Sequence, residues 1–415
     1  MEPANESAIK PAKTAAKERS ENTSFMEPLL IGETSRYRVE LTDLTIELAQ
    51  KSAGFRHSLP ESILTSLADL VRAMNCYYSN LIEGHDTHPV DIERALKGEY
   101  SNDAKKCDLQ IEAKAHIAVQ RWIDTGGLRG HATTVGAIRE IHRRFSDLLP
   151  EDLLWVNDTT PGKRIKVEPG EFRRHGVAVG MHVPVSAPDI PRFLERFEKV
   201  YAHLGKTETI IAAAAAHHRL LWIHPFLDGN GRVARLMSHA TLLEALDTGA
   251  IWSIARGLAR NIDAYKTHLA ACDQTRRNDL DGRGHLSEEK LAAFTRFFLT
   301  TCLDQVSFME DLMQPDQLRA RILVWAQEEI RLGKLPHKSV AVLEAILYRG
   351  HLPRGDSAKI VGSARHGSRV VSSLLNRGVL ATDSTRAPLR LAFPAALASR
   401  WMPGLFPEKL QRNQK

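Results

Sequence analysis

Cysteine, aromatic residues and long apolar runs are all scarce in this chain. Its 415 residues include only four cysteines, none in a CxxC pair, which argues against a disulfide framework and against a structural zinc site. The longest apolar run is seven residues, 210–216, whereas a membrane-spanning helix needs about 20. The first 24 residues hold four basic and four acidic side chains and no apolar segment. We therefore expect a disordered tail over 1–24, no secretory signal and a cytoplasmic location.

Apolar and charged residues are present in the proportions of a globular protein. They make up 43% and 26% of the chain, enough for two or three domains with a buried core. The net charge is +6, and the segment 338–393 alone holds nine Lys or Arg against three Asp or Glu. The basic excess therefore belongs to the C-terminal part.

Apolar residues recur at spacings of three and four over most of the chain, which predicts a mainly α fold. One such helix runs from Ile63 to Ile82 and should stop at Gly84. The segment 164–188 is instead rich in Gly, Pro and Val, and its alternating apolar residues predict a short hairpin. The predicted units are a tail (1–24), an N-terminal helical region (25–130), a helical core (131–305), a linker helix (306–337) and a small C-terminal domain (338–400).

The C-terminal domain has the pattern of a winged helix-turn-helix. Three short helices are predicted at 339–349, 354–361 and 364–377, followed by two β-prone stretches around a polar turn. Arg365, Arg369 and Arg377 lie on or near the third helix, where they could contact DNA. A protein partner is the other reading, and the sequence leaves both open.

Twelve residues, HPFLDGNGRVAR at 224–235, bring together a potential base, a carboxylate, two glycines and two arginines at a predicted helix start. Unpaired N–H groups at a helix N-terminus favour phosphate, and glycines let the backbone approach it closely. Arg232 and Arg235 share one helical face, where their guanidinium groups can grip phosphate oxygens. Asp228 is placed to hold a Mg²⁺ that bridges phosphates, and His224 can accept a proton near neutral pH.

This stretch resembles the HPFxxGNGRxxR signature of Fic-domain proteins at every fixed position. The resemblance implies a Fic-type helical core with a β-hairpin flap that transfers AMP from ATP to a Ser, Thr or Tyr hydroxyl of a target protein. It implies His224 as the general base, Asp228 as the Mg²⁺ ligand and Arg235 as the γ-phosphate contact. The rest of the implied nucleotide site comprises Phe226, which should anchor the loop, and a phosphate cradle of Gly229, Asn230, Gly231 and Arg232.

An upstream segment resembles the flap of the same family, which clamps the target as an added strand. It begins with PGEFR at 169–173 and continues with alternating apolar residues. The implied target-docking residues are Val177, Ala178, Val179, Gly180, Met181, His182 and Val183. With a further match at 281–287, the resemblance covers about residues 134–303.

The helix that ends at Gly84 resembles the inhibitory helix of one class of Fic proteins. The class pattern [S/T]xxxE[G/N] fits SNLIEG at 79–84. A carboxylate in the last turn of a helix interacts unfavourably with the helix dipole, at a cost of about 0.3–1 kcal/mol. We therefore expect a cationic partner for Glu83. By resemblance that partner is Arg235, and the pair would leave the ATP α-phosphate misaligned for attack. Ser79 shares the face of Glu83 and is expected to help orient it.

The sequence leaves two alternatives to an autoinhibited adenylyltransferase. One is a protein kinase like the related Doc toxins, which bind ATP in reverse. Gly231 argues against it, because those relatives lack this glycine. The other is a DNA-binding regulator whose Fic core only senses nucleotide. The predicted ligands and partners are ATP, Mg²⁺ and a target protein, with a homodimer left open and no membrane partner.

Overall fold

A computed structural model describes residues 21–157 and 163–406, and this part of the chain is mostly helical. The predicted mainly α fold is confirmed. In chain order the α-helices are α1 (Arg38–His57), α2 (Glu61–Ile82), α3 (Pro89–Leu96), α4 (Ala104–Asp124), α5 (Val135–Ser146), α6 (Ile190–Tyr201), α7 (Lys206–Ile223), α8 (Asn230–Ala245), α9 (Ile254–Arg260), α10 (Ile262–Ala271), α11 (Glu288–Leu312), α12 (Pro315–Arg331), α13 (Ser339–Arg349), α14 (Asp356–Val361), α15 (Ala364–Asn376) and α16 (Ala398–Trp401).

Local sequence signals set the ends of the helices that build the site. Gly84 takes a left-handed conformation with φ 86° directly beyond α2, as its sequence position predicts. Thr134 caps α5 by accepting the N–H of Ala137. Helix α1 was not predicted, because its buried stripe mixes Thr45 and Ser52 with apolar residues and so weakens the pattern.

The core lies around α7 and α8, which pack against each other and flank the HPFLDGNGRVAR loop. The five alanines at 212–216 of α7 are all buried, and their small side chains let α8 and α11 come close. Three of the four cysteines, Cys76, Cys272 and Cys302, are buried free thiols, while Cys107 is half-buried and also free. Burial raises the pKa of the three buried thiols, so they act as apolar packing groups.

The described residues also contain five short strands. β1 (Trp155–Asn157) pairs antiparallel with β2 (Arg164–Lys166), Val156 facing Ile165. In the C-terminal domain β3 (His351–Leu352), β4 (Leu380–Ala381) and β5 (Leu389–Leu391) form an antiparallel sheet in the order β3-β5-β4. The order along the chain is α13, β3, α14, α15, β4, β5, so the three predicted helices and the two later strands are present, and β3 is an additional strand between the first two helices.

The C-terminal domain and the segment that follows it pack directly on α2. Strand β5 contacts this helix, and the Tyr78 hydroxyl donates a hydrogen bond of 2.9 Å to the carbonyl of Leu405. The Tyr77 ring meets Phe406 edge-on at 5.7 Å between centroids. Ser79 is the next residue of the same helix, so the predicted inhibitory residues and the C-terminal domain share one rigid element.

Most of the predicted tail, residues 1–20, lies outside the described residues. Its last part is bound to the core, since the Glu21 N–H donates to Asp189 Oδ2 at 2.9 Å. Thr23–Met26 then form a 3₁₀ turn. Over residues 21–157 and 163–406 no helix has the length and apolar character needed to cross a membrane.

Candidate active site

The loop 224–229 turns the chain sharply between α7 and α8. Pro225 cannot continue the hydrogen bonding of α7, and the helix ends with His224 in a left-handed conformation, φ 51° and ψ 62°. Few residues other than glycine adopt this conformation, and it occurs where surrounding contacts enforce it. Gly229, with φ 79°, completes the turn and precedes α8. The backbone thus holds His224 at one end of the loop and the N-terminus of α8 at the other.

Arg173 holds the His224 corner in place. Its Nε donates to the His224 carbonyl at 2.8 Å and its Nη2 to the Val185 carbonyl at 2.6 Å, while its N–H donates to the Pro225 carbonyl at 2.9 Å. The bonds to His224 and Pro225 satisfy carbonyls at and just beyond the end of α7, and the bond to Val185 ties this corner to the segment before α6. Burial lowers the pKa of Arg173 to about 10, so it stays cationic at neutral pH. The sequence placed Arg173 in the flap segment but gave no sign of this role.

Phe226 anchors the middle of the loop, as predicted. Its side chain is fully buried and stacks on His142 with 3.9 Å between ring centroids and 5° between planes. His142 Nδ1 in turn accepts the Gly170 N–H at 2.9 Å. Burial lowers the pKa of His142 to about 4, which keeps the ring neutral and able to accept this bond. His142 was not singled out in the sequence, since a lone histidine in an amphipathic helix carries no distinguishing pattern.

Asn230 closes the loop rather than presenting its amide to a ligand. Its Oδ1 accepts the Phe226 N–H at 2.9 Å and its Nδ2 donates to the Phe226 carbonyl at 2.8 Å. The side chain is buried. The part of Asn230 available for the predicted phosphate cradle is therefore its backbone N–H at the first position of α8.

The His224 side chain is half-buried and uncharged at neutral pH. Burial lowers its pKa to about 3, and the nearby charge of Arg173 acts in the same direction. A neutral imidazole has an unprotonated ring nitrogen, so His224 is able to accept a proton.

Asp228 is exposed in the loop just ahead of α8. Among the described residues, no three His, Cys, Asp or Glu side chains cluster as a complete metal-binding set. Mg²⁺ bound with a nucleotide commonly takes one or two protein carboxylates and fills its other positions with phosphate oxygens and water. One exposed carboxylate beside an anion-binding helix N-terminus fits that donor set.

Arg235 is paired with Glu83 across the start of α8. It is buried, its Nε donates to Ser79 Oγ at 2.9 Å, and its Nη2 donates to the Ser79 carbonyl at 3.3 Å and to Glu83 Oε1. Burial by itself raises the pKa of Glu83, but the charges of Arg235 and Arg232 outweigh it and the net shift is downward. Glu83 therefore stays ionised. The predicted pairing of Glu83 with Arg235 is present, whereas Ser79 is hydrogen-bonded to Arg235 and not, as predicted, to Glu83.

The Glu83 carboxylate lies directly over Gly231. A Cβ atom at position 231 would be 2.4 Å from Glu83 Oε1 and 3.1 Å from Arg235 Nη1. The space that this glycine leaves open at the N-terminus of α8 is thus filled by a side-chain anion. A phosphate drawn to the same N–H groups would have to compete with that carboxylate.

The second signature arginine has a glutamate partner that the sequence did not reveal. Arg232 is buried, donates from Nη2 to Glu112 Oε2 at 2.6 Å and lies over the Phe145 ring, 5.0 Å from its centroid. His85 Nδ1 is 3.5 Å from the same Glu112 oxygen. Glu112 sits in α4, 120 residues before Arg232. Nothing in the local pattern of an amphipathic helix marks one glutamate as the partner of so distant a residue.

We expect Glu112→Ala to reduce the free energy of unfolding by about 3 kcal/mol, because it leaves the buried Arg232 guanidinium without its counter-charge. Urea unfolding followed by circular dichroism measures the loss. The double variant Glu112→Leu/Arg232→Met removes both charges and should recover most of the stability. A single variant as stable as the wild type would contradict this view of the pair.

The predicted flap forms only its tip as a hairpin. Val179 and His182 exchange backbone hydrogen bonds of 2.9 and 3.0 Å around Gly180, and the residues on either side are not strands. The hairpin predicted over all of 177–183 is therefore shorter than expected, and the two-stranded pairing upstream is β1 with β2. Met181 is fully exposed and Val183 is 77% exposed. His182 fixes the tip through a 2.8 Å contact between its Nε2 and the Trp222 carbonyl in the last turn of α7.

Residues 132–242, which include this loop and the helices around it, match the model of the Fic/DOC family. We refer to these residues as the Fic domain, after the family model that they match. The family resemblance read from the signature is confirmed. Over 171 residues the chain is 30% identical to the protein adenylyltransferase Fic of Drosophila erecta and 31% identical to that of Drosophila persimilis. The matched part is 41% of this chain but only 32% and 31% of those proteins, so the chain spans about a third of their length.

The solved structure of Fic-1 from C. elegans has the same fold as the Fic domain and its surroundings. The TM-score is 0.50 at 17% identity, covering 66% of this chain and 73% of that one. The Fic domain accounts for α5 to α8 and the site loop. Glu83 and Glu112, which bind its two signature arginines, come from helices that precede it.

Proposed function

We propose that the chain is a protein adenylyltransferase that transfers AMP from ATP to a Ser, Thr or Tyr hydroxyl of a target protein. The observation that carries this proposal is the site loop: a neutral His224 at one end, and at the other a helix N-terminus with two arginines. The relatives named as protein adenylyltransferases support the same chemistry.

The proposed reaction is one in-line displacement at the α-phosphorus of ATP. The target hydroxyl oxygen attacks the α-phosphorus while its proton passes to the free ring nitrogen of His224. The bond from the α-phosphorus to the bridging oxygen breaks, and pyrophosphate leaves. The backbone N–H groups of Asn230 and Gly231, together with Arg232, bind phosphate oxygens, and Arg235 orients the γ-phosphate. Asp228 would hold Mg²⁺, which neutralises phosphate charge when bound.

We propose that the described conformation is the inhibited one. Glu83 pairs with the guanidinium of Arg235 and lies against Gly231. In the proposed reaction the β- and γ-phosphates of ATP would have to bind at these same two positions. Activation therefore requires Glu83 to leave Arg235, and this release needs movement at the end of α2.

The exposed flap supports a protein as the acceptor. An extended segment can add to a backbone edge through main-chain hydrogen bonds, and the exposed Met181 and Val183 offer apolar contacts beside it. His182 ties this edge to the turn that carries His224, so a segment bound there would run close to the base.

Labelling with two forms of ATP tests the proposed reaction. Protein and lysate would be incubated with [α-³²P]ATP and, separately, with [γ-³²P]ATP, and labelled proteins resolved on gels. We expect label from the α-phosphate only, since pyrophosphate carries away the γ-phosphate. His224→Ala should reduce labelling to background, because a positioned general base contributes about 10²- to 10⁴-fold. Label from the γ-phosphate would instead show a kinase of the Doc type. No label from either form of ATP with the Glu83→Gly variant, in which Arg235 is released, would favour a nucleotide sensor.

A further inference from the structure

The C-terminal domain presents a basic helix face that no other part of the described chain covers. On α15 the exposed residues of the first three turns are Ala364, Arg365, His366, Ser368, Arg369 and Ser372. Neither Arg365 nor Arg369 has an ion pair, hydrogen bond or ring contact with any residue in 21–157 or 163–406. The helix contains no Asp or Glu. Its outer face is therefore a strip of unneutralised positive charge set among small polar side chains.

Helix α15 crosses its neighbour α14 at close range. A Cβ atom at Gly367 would lie 3.0 Å from the backbone of Ser357 and Ala358, so the glycine is what allows the two helices to cross so closely. Val370, Val371 and Leu374 fill the buried side of α15. Elsewhere in the domain, β5 packs on α2 and α13 packs on α12. The domain thus docks on the rest of the chain through β5 and α13, while the outer face of α15 is exposed.

A second basic element lies in the same domain. The turn between β4 and β5 is exposed and carries Arg386, whose guanidinium has no partner among the described residues, while its backbone N–H donates to Ser384 Oγ at 3.3 Å. The neighbouring Asp383 is already neutralised by Arg390 at 3.1 Å. The free guanidinium groups of α15 and of this turn belong to the same small domain, and we call them together the cationic surface.

We propose that this surface binds duplex DNA, with α15 in the major groove and the β4–β5 turn on the neighbouring backbone. A helix of 13 residues is about 20 Å long and fits a groove about 12 Å wide. The small residues Ser368 and Ser372 let its backbone approach the base edges. A-form RNA has a deep, narrow major groove that excludes such a helix. The exposed face has no large apolar side chain, which disfavours both a membrane and an apolar protein interface.

Fluorescence anisotropy with the full chain and a labelled 24-base-pair duplex of mixed sequence tests this proposal. At 50 mM salt we expect a Kd of the order of 1 μM, with log Kobs falling linearly as log salt rises. Arg365→Gln/Arg369→Gln should weaken binding at least tenfold and lower the steepness of that line by about 2, since each lost phosphate contact removes about 0.9. Matching circular dichroism spectra would show that the variant is folded.

The matched control is Lys199→Gln/Lys206→Gln, which removes the same charge from two exposed positions of the Fic domain and should leave the Kd unchanged within about twofold. Equal weakening by both variants would overturn the proposal, because it would make the binding a property of net charge alone. A Kd above about 100 μM at 50 mM salt would also overturn it and point to a protein partner. Equal affinity for duplex RNA would contradict insertion into the major groove. None of these outcomes depends on ATP, so they are independent of the proposed adenylyl transfer.

Discussion

Glu83→Gly is expected to raise the rate of labelling from [α-³²P]ATP by about 10²- to 10³-fold. The substitution removes the carboxylate that holds Arg235 and lies over Gly231. It frees one preorganised cation for the transferring triphosphate, and a single positioned donor of this kind is worth about that factor in rate. The helix itself should not suffer, because Glu83 caps the C-terminal end of α2, where a negative charge opposes the dipole.

Two variants separate release of Arg235 from a general loosening of α2. Glu61→Gly makes the same substitution at the exposed first residue of the helix and should leave the rate unchanged. Ser79→Ala removes one acceptor of Arg235 but keeps Glu83, and we expect a rise of less than tenfold. Initial rates at saturating ATP measure all three. If Glu83→Gly labelled protein at a rate within twofold of the wild type, Glu83 would not be the inhibitory residue.

The sequence predicted best those features that depend on residues close together in the chain. The turn at 224–229 follows from Pro225 and Gly229, and the anion-binding start of α8 follows from its two glycines and arginines. The end of α2 follows from Gly84. The contact between Glu83 and Arg235, 152 residues apart, came from the family pattern, since periodicity alone does not show which helices meet.

The contacts that support the site from a distance could not be predicted. Glu112 is one of several charged residues on α4, and only the packing of α4 against α8 selects it as the partner of Arg232. Arg173 acts through its guanidinium on carbonyls of another segment, which no spacing rule encodes. For Asn230 the motif placed the residue correctly, but the side chain turned inward because a sharp loop leaves the Phe226 backbone groups unpaired.

Several histidines of the core make the fold sensitive to mild acid. Four of them are almost fully buried: His116, His142, His217 and His218. Burial lowers the pKa to about 3 for His116 and His217 and to about 4 for His142 and His218, from 6.5 in an unfolded chain. Between pH 6.5 and about 4 the unfolded chain therefore binds more protons than the folded one, and each step down in pH favours unfolding.

We expect the protein to lose about 8 kcal/mol of stability between pH 8 and pH 5, at up to about 1.4 kcal/mol per pH unit for each of the four histidines. A loss of that size approaches the whole stability of a typical domain, so the acid midpoint should fall near pH 5. Far-UV circular dichroism against pH measures it. Neither ring nitrogen of His116 has a hydrogen-bond partner among the described residues. His116→Leu should therefore lower the pH of the acid midpoint and reduce the pH dependence of the free energy of unfolding by about a quarter, since it removes one of four histidines. His203→Gln, at an exposed position, should change neither. An acid midpoint that does not respond to His116→Leu would contradict a neutral, buried His116 in the folded state.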